Sequence, residues 1–118
     1  MRRLAPIVLL LALVGCDRRP TTDVPDGAVT LRVRDFRYDH QTVRVPVGRI
    51  TFDVRNAGRE ETNFRLRRGD RELLSVSTIE PGASGTASIR LPAGRYTMYS
   101  SVGRHEELGE YGELIVSR

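Results

Sequence analysis

The residues able to do chemistry in this chain are few. Cys16 is the only cysteine, and His40 and His105 are the only two histidines among 118 residues. Ser100 and Ser101 precede His105 closely, but a serine five residues from a histidine with no third partner makes no recognisable triad. There is no glycine-rich phosphate loop and no His-Glu-x-x-His zinc motif. The chain is expected not to be an enzyme. His105 and Glu110, with Ser100, Glu60 or Glu61, offer one imidazole and several hard oxygens, a set that could hold copper(II) or zinc only weakly. Glu60-Glu61 and Glu106-Glu107 would otherwise be a solvated acidic rim, and His40 a loop residue.

Cys16 follows a three-part leader. Arg2 and Arg3 form a positive start, Leu4 to Val14 an apolar run, and Leu13-Val14-Gly15 a small-residue approach to the cysteine. Eleven residues are too short to span ~30 Å of hydrocarbon, which takes ~20. Leu13-Val14-Gly15-Cys16 resembles the lipobox of a bacterial lipoprotein precursor. That resemblance implies removal of residues 1–15 as a signal peptide and acylation of Cys16, and several acyl chains suffice for stable anchoring. The implied location is the bacterial cell envelope, with the domain extracytoplasmic, either periplasmic or extracellular. Asp17 resembles the inner-membrane retention signal of some Gram-negative lipoproteins. A lipidated Cys16 would leave the mature chain without a thiol.

Cleavage also changes the charge. The whole chain carries 19 arginines and no lysine against 15 acids; without Arg2 and Arg3 it has 17 against 15, a net +2. Such a balance gives no footprint for nucleic acid, and none is expected as a partner. Exclusive use of arginine is read as a consequence of a GC-rich genome. Residues 16–27, rich in Pro, Thr, Asp and Arg, read as a lipidated cysteine and a flexible tether holding the domain a few nanometres from the bilayer.

Residues 28–118 read as one domain, and its period is two. Val29, Leu31 and Val33 alternate with polar residues, as do Val43, Val45 and Val47, then Ile50, Phe52 and Val54. Phe64 and Leu66, Ala87, Ile89 and Leu91, and Tyr96 and Met98 continue the pattern. No window of helical length carries a 3.6 period. Gly48, Gly58, Gly69, Gly82, Gly94 and Gly103 punctuate the strands, close to the spacing of an antiparallel sandwich or barrel. Arg65, Arg67, Arg68 and Arg71 fit an exposed strand and hairpin better than an anion site.

The order of motifs says more than the period. Asn56-Ala57-Gly58, Thr62-Asn63-Phe64, Pro81-Gly82, Leu91 through Val102 and His105 through Val116 resemble the framework of the cupredoxins, the plastocyanin- and azurin-like superfamily. The resemblance covers about residues 29–117 and implies an all-β, Greek-key sandwich or barrel. In that family one histidine ligand follows an Asn-x-Gly turn. The other three ligands lie on a final loop of the pattern Tyr-x-x-Tyr-Cys-x-x-x-x-His-x-x-x-Gly-Met-x-Gly-x-Leu. This chain keeps Tyr96, Tyr99, His105, Gly109, Gly112 and Leu114, but has Thr62, Ser100 and Glu110 at the other three ligand positions.

Type 1 copper needs two imidazoles and a thiolate with a weak axial ligand. The resemblance therefore implies a degenerate metal site, with no cofactor expected and copper as the alternative. Thr62, Ser100, His105 and Glu110 are expected to meet at one end of the sandwich as a polar network, with the Glu110 carboxylate bonding a protonated His105. The function implied is a membrane-anchored binding or accessory module for an unknown envelope protein. The alternative is a copper-binding or electron-transfer cupredoxin. On fold, a fibronectin-like sandwich stays open; the absence of tryptophan and of paired cysteines counts against an antibody-type domain only. The leader carries a direct test. In the native host the mature protein should begin at a lipid-modified Cys16, and Cys16→Ser should block processing or release the protein from membranes. An unmodified Cys16 by intact mass would refute the reading.

Overall fold

The computed structural model describes residues 20–118; the expected signal peptide over residues 1–15, Cys16 and Asp17 to Arg19 lie outside the described residues. Among the described residues ten strands form two packed sheets, with one short helix between two of the strands. The larger joins β1 (Thr21–Asp23), β4 (Thr42–Pro46), β10 (Tyr111–Ser117), β9 (Gly94–Tyr99), β6 (Thr62–Arg68) and β7 (Arg71–Ile79), in that order. The smaller joins β3 (Arg37–Tyr38), β2 (Ala28–Arg34), β5 (Gly48–Asn56) and β8 (Ser84–Leu91). The helix, α1, spans His105–Leu108 between β9 and β10.

Alternation places the core. Along β2 and β5 every second side chain is buried, because successive residues of a strand face opposite sides. Val29, Leu31, Val33, Ile50, Phe52 and Val54 meet Val43, Phe64, Leu66, Met98 and Leu114 from the facing sheet. Phe52 and Phe64 pack ring to ring across the gap, their centroids 5.0 Å apart. Between strands close approach matters as much as bulk. A Cβ on Gly112 would lie 2.5 Å from the carbonyl oxygen of Gln41 and 3.0 Å from Met98 Cε, so only glycine lets β10 lie this close to the chain entering β4.

The sheets are mixed, not antiparallel as the turn spacing suggests. β1 and β10 each run parallel to β4, and β2 runs parallel to β5. Turn spacing reports how often the chain reverses, but not which strands then become neighbours. Here the β6–β7 hairpin joins the larger sheet and β8 returns to pair with β5.

Three elements depart from the pattern-based expectation. Thr21–Asp23, assigned to the tether on composition, form an edge strand whose neighbour is β4; Val24 donates a further backbone bond to Arg44, and Gly27 accepts one from Thr51. An edge strand needs backbone partners more than apolar side chains, so composition alone missed it. β7 has no clean alternation because its pairing with β6 shifts register twice, between Thr62 and Phe64 and between Leu66 and Arg67. α1, at four residues, is too short to register as a helical period.

The aromatic contact between the sheets sets a stability test. Phe64→Ala removes a fully buried ring and should cost about 3–5 kcal/mol, a large part of the ~5–15 kcal/mol expected of a domain. Denaturant unfolding followed by circular dichroism measures it, and a loss below about 1 kcal/mol would show that Phe64 is not a core residue.

Candidate functional site

The four positions singled out at the end of the sandwich come together. Thr62 opens β6, Ser100 follows β9, and His105 and Glu110 bracket α1. The Thr62 and Ser100 hydroxyls lie 3.0 Å apart, and Thr62 Oγ1 makes a short hydrogen bond with Glu110 Oε2. Glu110 is 1 % exposed, Thr62 2 % and Ser100 1 %, so these are interior polar groups with no open access to solvent. The backbone closes the loop: Glu110 donates its N–H to His105 at 2.9 Å, and Ser100 donates to Glu110 at 3.3 Å.

Two asparagines hold these residues in place. Asn56 is buried; its Nδ2 donates to the carbonyls of Glu60 at 2.7 Å and Ile79 at 2.9 Å, and its Oδ1 accepts from the Gly58 N–H at 2.9 Å. The turn from β5 to β6 is thereby fixed and Thr62 is delivered to the interior. Asn63 clamps the other side. Its Oδ1 accepts from the Ser100 hydroxyl at 3.2 Å and the Ser101 N–H at 2.9 Å, while its Nδ2 donates to Ser101 Oγ at 2.9 Å. The register shift at Thr62/Phe64 lets Thr62, Asn63 and Phe64 all be buried in succession, which a regular strand forbids. The motifs marked both asparagines, but their clamping role depends on partners far along the chain.

The retained framework has local reasons. Tyr96 is buried and donates its hydroxyl to the Pro92 carbonyl at 2.7 Å. Tyr99 lies under the Arg67 guanidinium, 4.2 Å from its ring centroid. Arg67 in turn makes a two-pronged ion pair with Glu106, at 3.1 and 2.6 Å, which ties α1 to β6. Gly109 has φ 125°, a left-handed conformation that disfavours a side chain.

His105 stands within ion-pair distance of Glu110 but not in a hydrogen bond with it. Its Nδ1 lies 3.5 Å from Glu110 Oε1 but has no hydrogen-bond partner among the described residues. The ring is 8 % exposed and stands edge-on to Phe36, with centroids 4.8 Å apart. Phe36 and Asp35 both adopt positive φ, at 59° and 51°, a rare conformation for such residues that turns the β2–β3 connection so that Phe36 meets the imidazole. A cavity of about 130 Å³ opens beside this group, lined by Phe36, Asn56, Glu60, Thr62, His105 and Glu110. It has room for a few waters.

The acidic rim is half neutralised. Glu106 pairs with Arg67 and Glu107 with Arg104, leaving Glu60 and Glu61 exposed and without an ion pair among the described residues. His40 lies in the β3–β4 loop, where its Nδ1 is 3.1 Å from the Thr22 hydroxyl and helps hold β1. Arg65, Arg67, Arg68 and Arg71 lie on the β6–β7 hairpin. Arg65 pairs with Glu72, and Arg68 covers the Tyr96 ring.

The donor set does not fit type 1 copper. It comprises one imidazole, one carboxylate and two hydroxyls, and both hydroxyls are already bonded within the protein. Among the described residues, no three His, Cys, Asp or Glu side chains gather closely enough to hold a metal ion.

Burial raises the Glu110 pKa above its ordinary value; the hydrogen bond from Thr62, the nearby imidazole of His105 and the hydroxyl of Ser100 oppose that shift without cancelling it. Tyr38, behind this group, is raised well above its usual value by burial and by the charges of Glu110 and Glu106.

A raised carboxyl pKa stabilises the fold below the ordinary value of about 4.3, and that contribution is lost as pH rises through the folded-state value. Glu110→Gln, which cannot ionise, should remove this loss. The variant should gain on the natural protein as pH rises from 4 toward 8, measured by thermal unfolding across that range. Parallel curves would show that Glu110 titrates normally.

No family model matches the sequence, and no curated protein is similar enough in sequence to place it. Solved structures are similar in fold. A dithionite-reduced auracyanin from the photosynthetic bacterium Roseiflexus castenholzii superposes with a TM-score of 0.74 at 17% identity, over 80% of this chain and 100% of that one. Auracyanin A, described as a blue copper protein of the green thermophilic photosynthetic bacterium Chloroflexus aurantiacus, gives 0.65 at 17% identity over 77% of this chain and 100% of its own. A reduced amicyanin variant gives 0.60 at 20% identity over 80% and 86%. At these identities the likeness is one of architecture, and the architecture is that of a cupredoxin-like β-sandwich.

Proposed function

We propose that this chain is a lipid-anchored, extracytoplasmic binding or accessory module: a cupredoxin-like sandwich whose site end works without type 1 copper. One observation carries the reading. At the position where the family pattern puts two imidazoles, a thiolate and a thioether, Thr62, Ser100 and Glu110 bond to one another and to Asn63. Oxygen donors of this kind cannot replace a thiolate, because an alkoxide is not available near neutral pH and oxygen is a hard ligand. The anchor is carried by Cys16 and its leader, and the partner is an envelope protein of unknown identity.

The same residues support an inert role chemically. Glu110 is buried behind Thr62, and His105 is covered by Phe36. A scaffold of this kind binds with its loops.

Copper binding decides between this reading and an electron-transfer cupredoxin. The natural protein should bind copper(II) no better than a surface site with a single histidine, and should show no thiolate-to-copper absorption. Thr62→His, Ser100→Cys and Glu110→Met together should create two imidazoles, a thiolate and a thioether around His105, and a blue, copper-loaded protein. A folded but colourless triple variant would overturn the assignment of the four positions. Tight stoichiometric copper binding by the natural protein, with His105 as a ligand, would establish the electron-transfer reading instead.

A further inference from the structure

The arginines divide unequally between the two sheets. On the larger sheet Arg44, Arg65, Arg67 and Arg95 each have a carboxylate partner, in Asp23, Glu72, Glu106 and Glu113 respectively, while Arg68 and Arg71 stand across from each other at the hairpin tip without an ion pair among the described residues, Arg68 lying over the Tyr96 ring. On the outward face of the smaller sheet only Arg34 has one. Its partner is Asp35, at 3.9 Å with both side chains largely exposed, a geometry that contributes little.

Register brings the unpaired arginines of the smaller sheet together. Arg34 stands directly across from Arg37, and Arg32 directly across from Arg55. Like charges in direct cross-strand register are destabilising, so nothing internal to the fold favours this arrangement. Arg32, Arg34 and Arg37 also line a shallow groove with Tyr38 and Asp39. Apart from Asp35, the acids near the cluster make no ion pair with it among the described residues. Asp39 Oδ1 accepts the Arg32 backbone N–H at 2.9 Å and Asp39 lies 3.7 Å from His40, while Asp53 faces Thr30 and Thr86 along the sheet.

The start of the described chain lies beside this face. Pro20 and Arg37 line one hollow together with Tyr38 and His40. Because β1 and the turn after it belong to the domain, only Asp17, Arg18 and Arg19 separate Cys16 from Pro20. Four residue steps span at most about 14 Å. A chain anchored at Cys16 therefore cannot hold the domain nanometres away from the bilayer.

We propose that the face carrying Arg32, Arg34, Arg37 and Arg55 lies against the anionic phosphate headgroups of the membrane to which the chain is tied, with the Arg37 corner nearest the bilayer. The inference rests on anchoring at Cys16. The charge is complementary, since guanidinium groups hold phosphate through paired donors, and each basic residue at an anionic surface strengthens binding about fivefold.

The test uses the single thiol. The full chain is coupled through Cys16 to a maleimide-headgroup lipid in vesicles of phosphatidylcholine, with or without phosphatidylglycerol, and its arginines are modified with phenylglyoxal and read residue by residue by mass spectrometry. On phosphatidylglycerol vesicles Arg32, Arg34, Arg37 and Arg55 should react at least about fivefold more slowly than in solution. Arg49 and Arg90, paired at the other end of the same sheet, should be unchanged. High salt should abolish the protection. Equal labelling of all six, or protection of Arg49 and Arg90 alongside the others, would overturn the proposal. So would protection of the four by inorganic phosphate alone with none on the vesicles, which would assign the face to a soluble anion. Chemical coupling supplies the tether whether or not the cell lipidates Cys16, so this outcome is separate from the intact-mass test of anchoring.

Discussion

A buried carboxyl group is the constraint around which the site end is built. Glu110 is almost fully buried, and a buried acid that is not hydrogen-bonded costs several kcal/mol. Its partners come from two elements that only the folded chain brings together: Thr62 from the start of β6 and Ser100 from the end of β9. Asn56 and Asn63 then make the arrangement rigid by bonding backbone groups of their own and neighbouring loops. In a cupredoxin site a metal ion would tie such loops together. Here hydrogen bonds between loops have that mechanical role, and they need neither a thiol nor an oxidation state.

The polar cluster is held by apolar packing beneath it. Phe52 and Phe64 bridge the sheets, Phe64 two residues along β6 from Thr62, and Tyr38 inclines toward the same ring, 6.3 Å from Phe64. Gly112 lets β10 approach Gln41 closely enough to complete the sheet beside β4. A side chain there would push apart the strand that leads directly from Glu110. Core and site are therefore one mechanical unit.

Charge is arranged differently on the two outer surfaces. The larger sheet pairs most of its arginines with carboxylates, Arg68 and Arg71 at the hairpin tip excepted, and the pair between Arg67 and Glu106 fixes the helix that carries His105. The smaller sheet sets arginine against arginine. Composition could not distinguish these two uses, because both are made of the same residue type.

Much of the fold was legible in the sequence, since alternation is a local property of a strand and needs no partner to be seen. Val29 to Val33 and Ile50 to Val54 announced β2 and β5, and the ordered motifs from Asn56 to Leu114 pointed to the cupredoxin-like sandwich. The spacing of Tyr96, Tyr99, His105, Gly109, Gly112 and Leu114 also placed Ser100 and Glu110 in one loop. What the tertiary structure alone decided is pairing. The parallel neighbours of β4, the inclusion of Thr21 to Asp23 in the sheet, the burial of three successive residues at Thr62, and the hydrogen bond from Thr62 to Glu110 all depend on contacts between residues far apart in the chain. A hydrogen bond between positions 48 residues apart leaves no trace in local composition; its geometry exists only once both loops are folded.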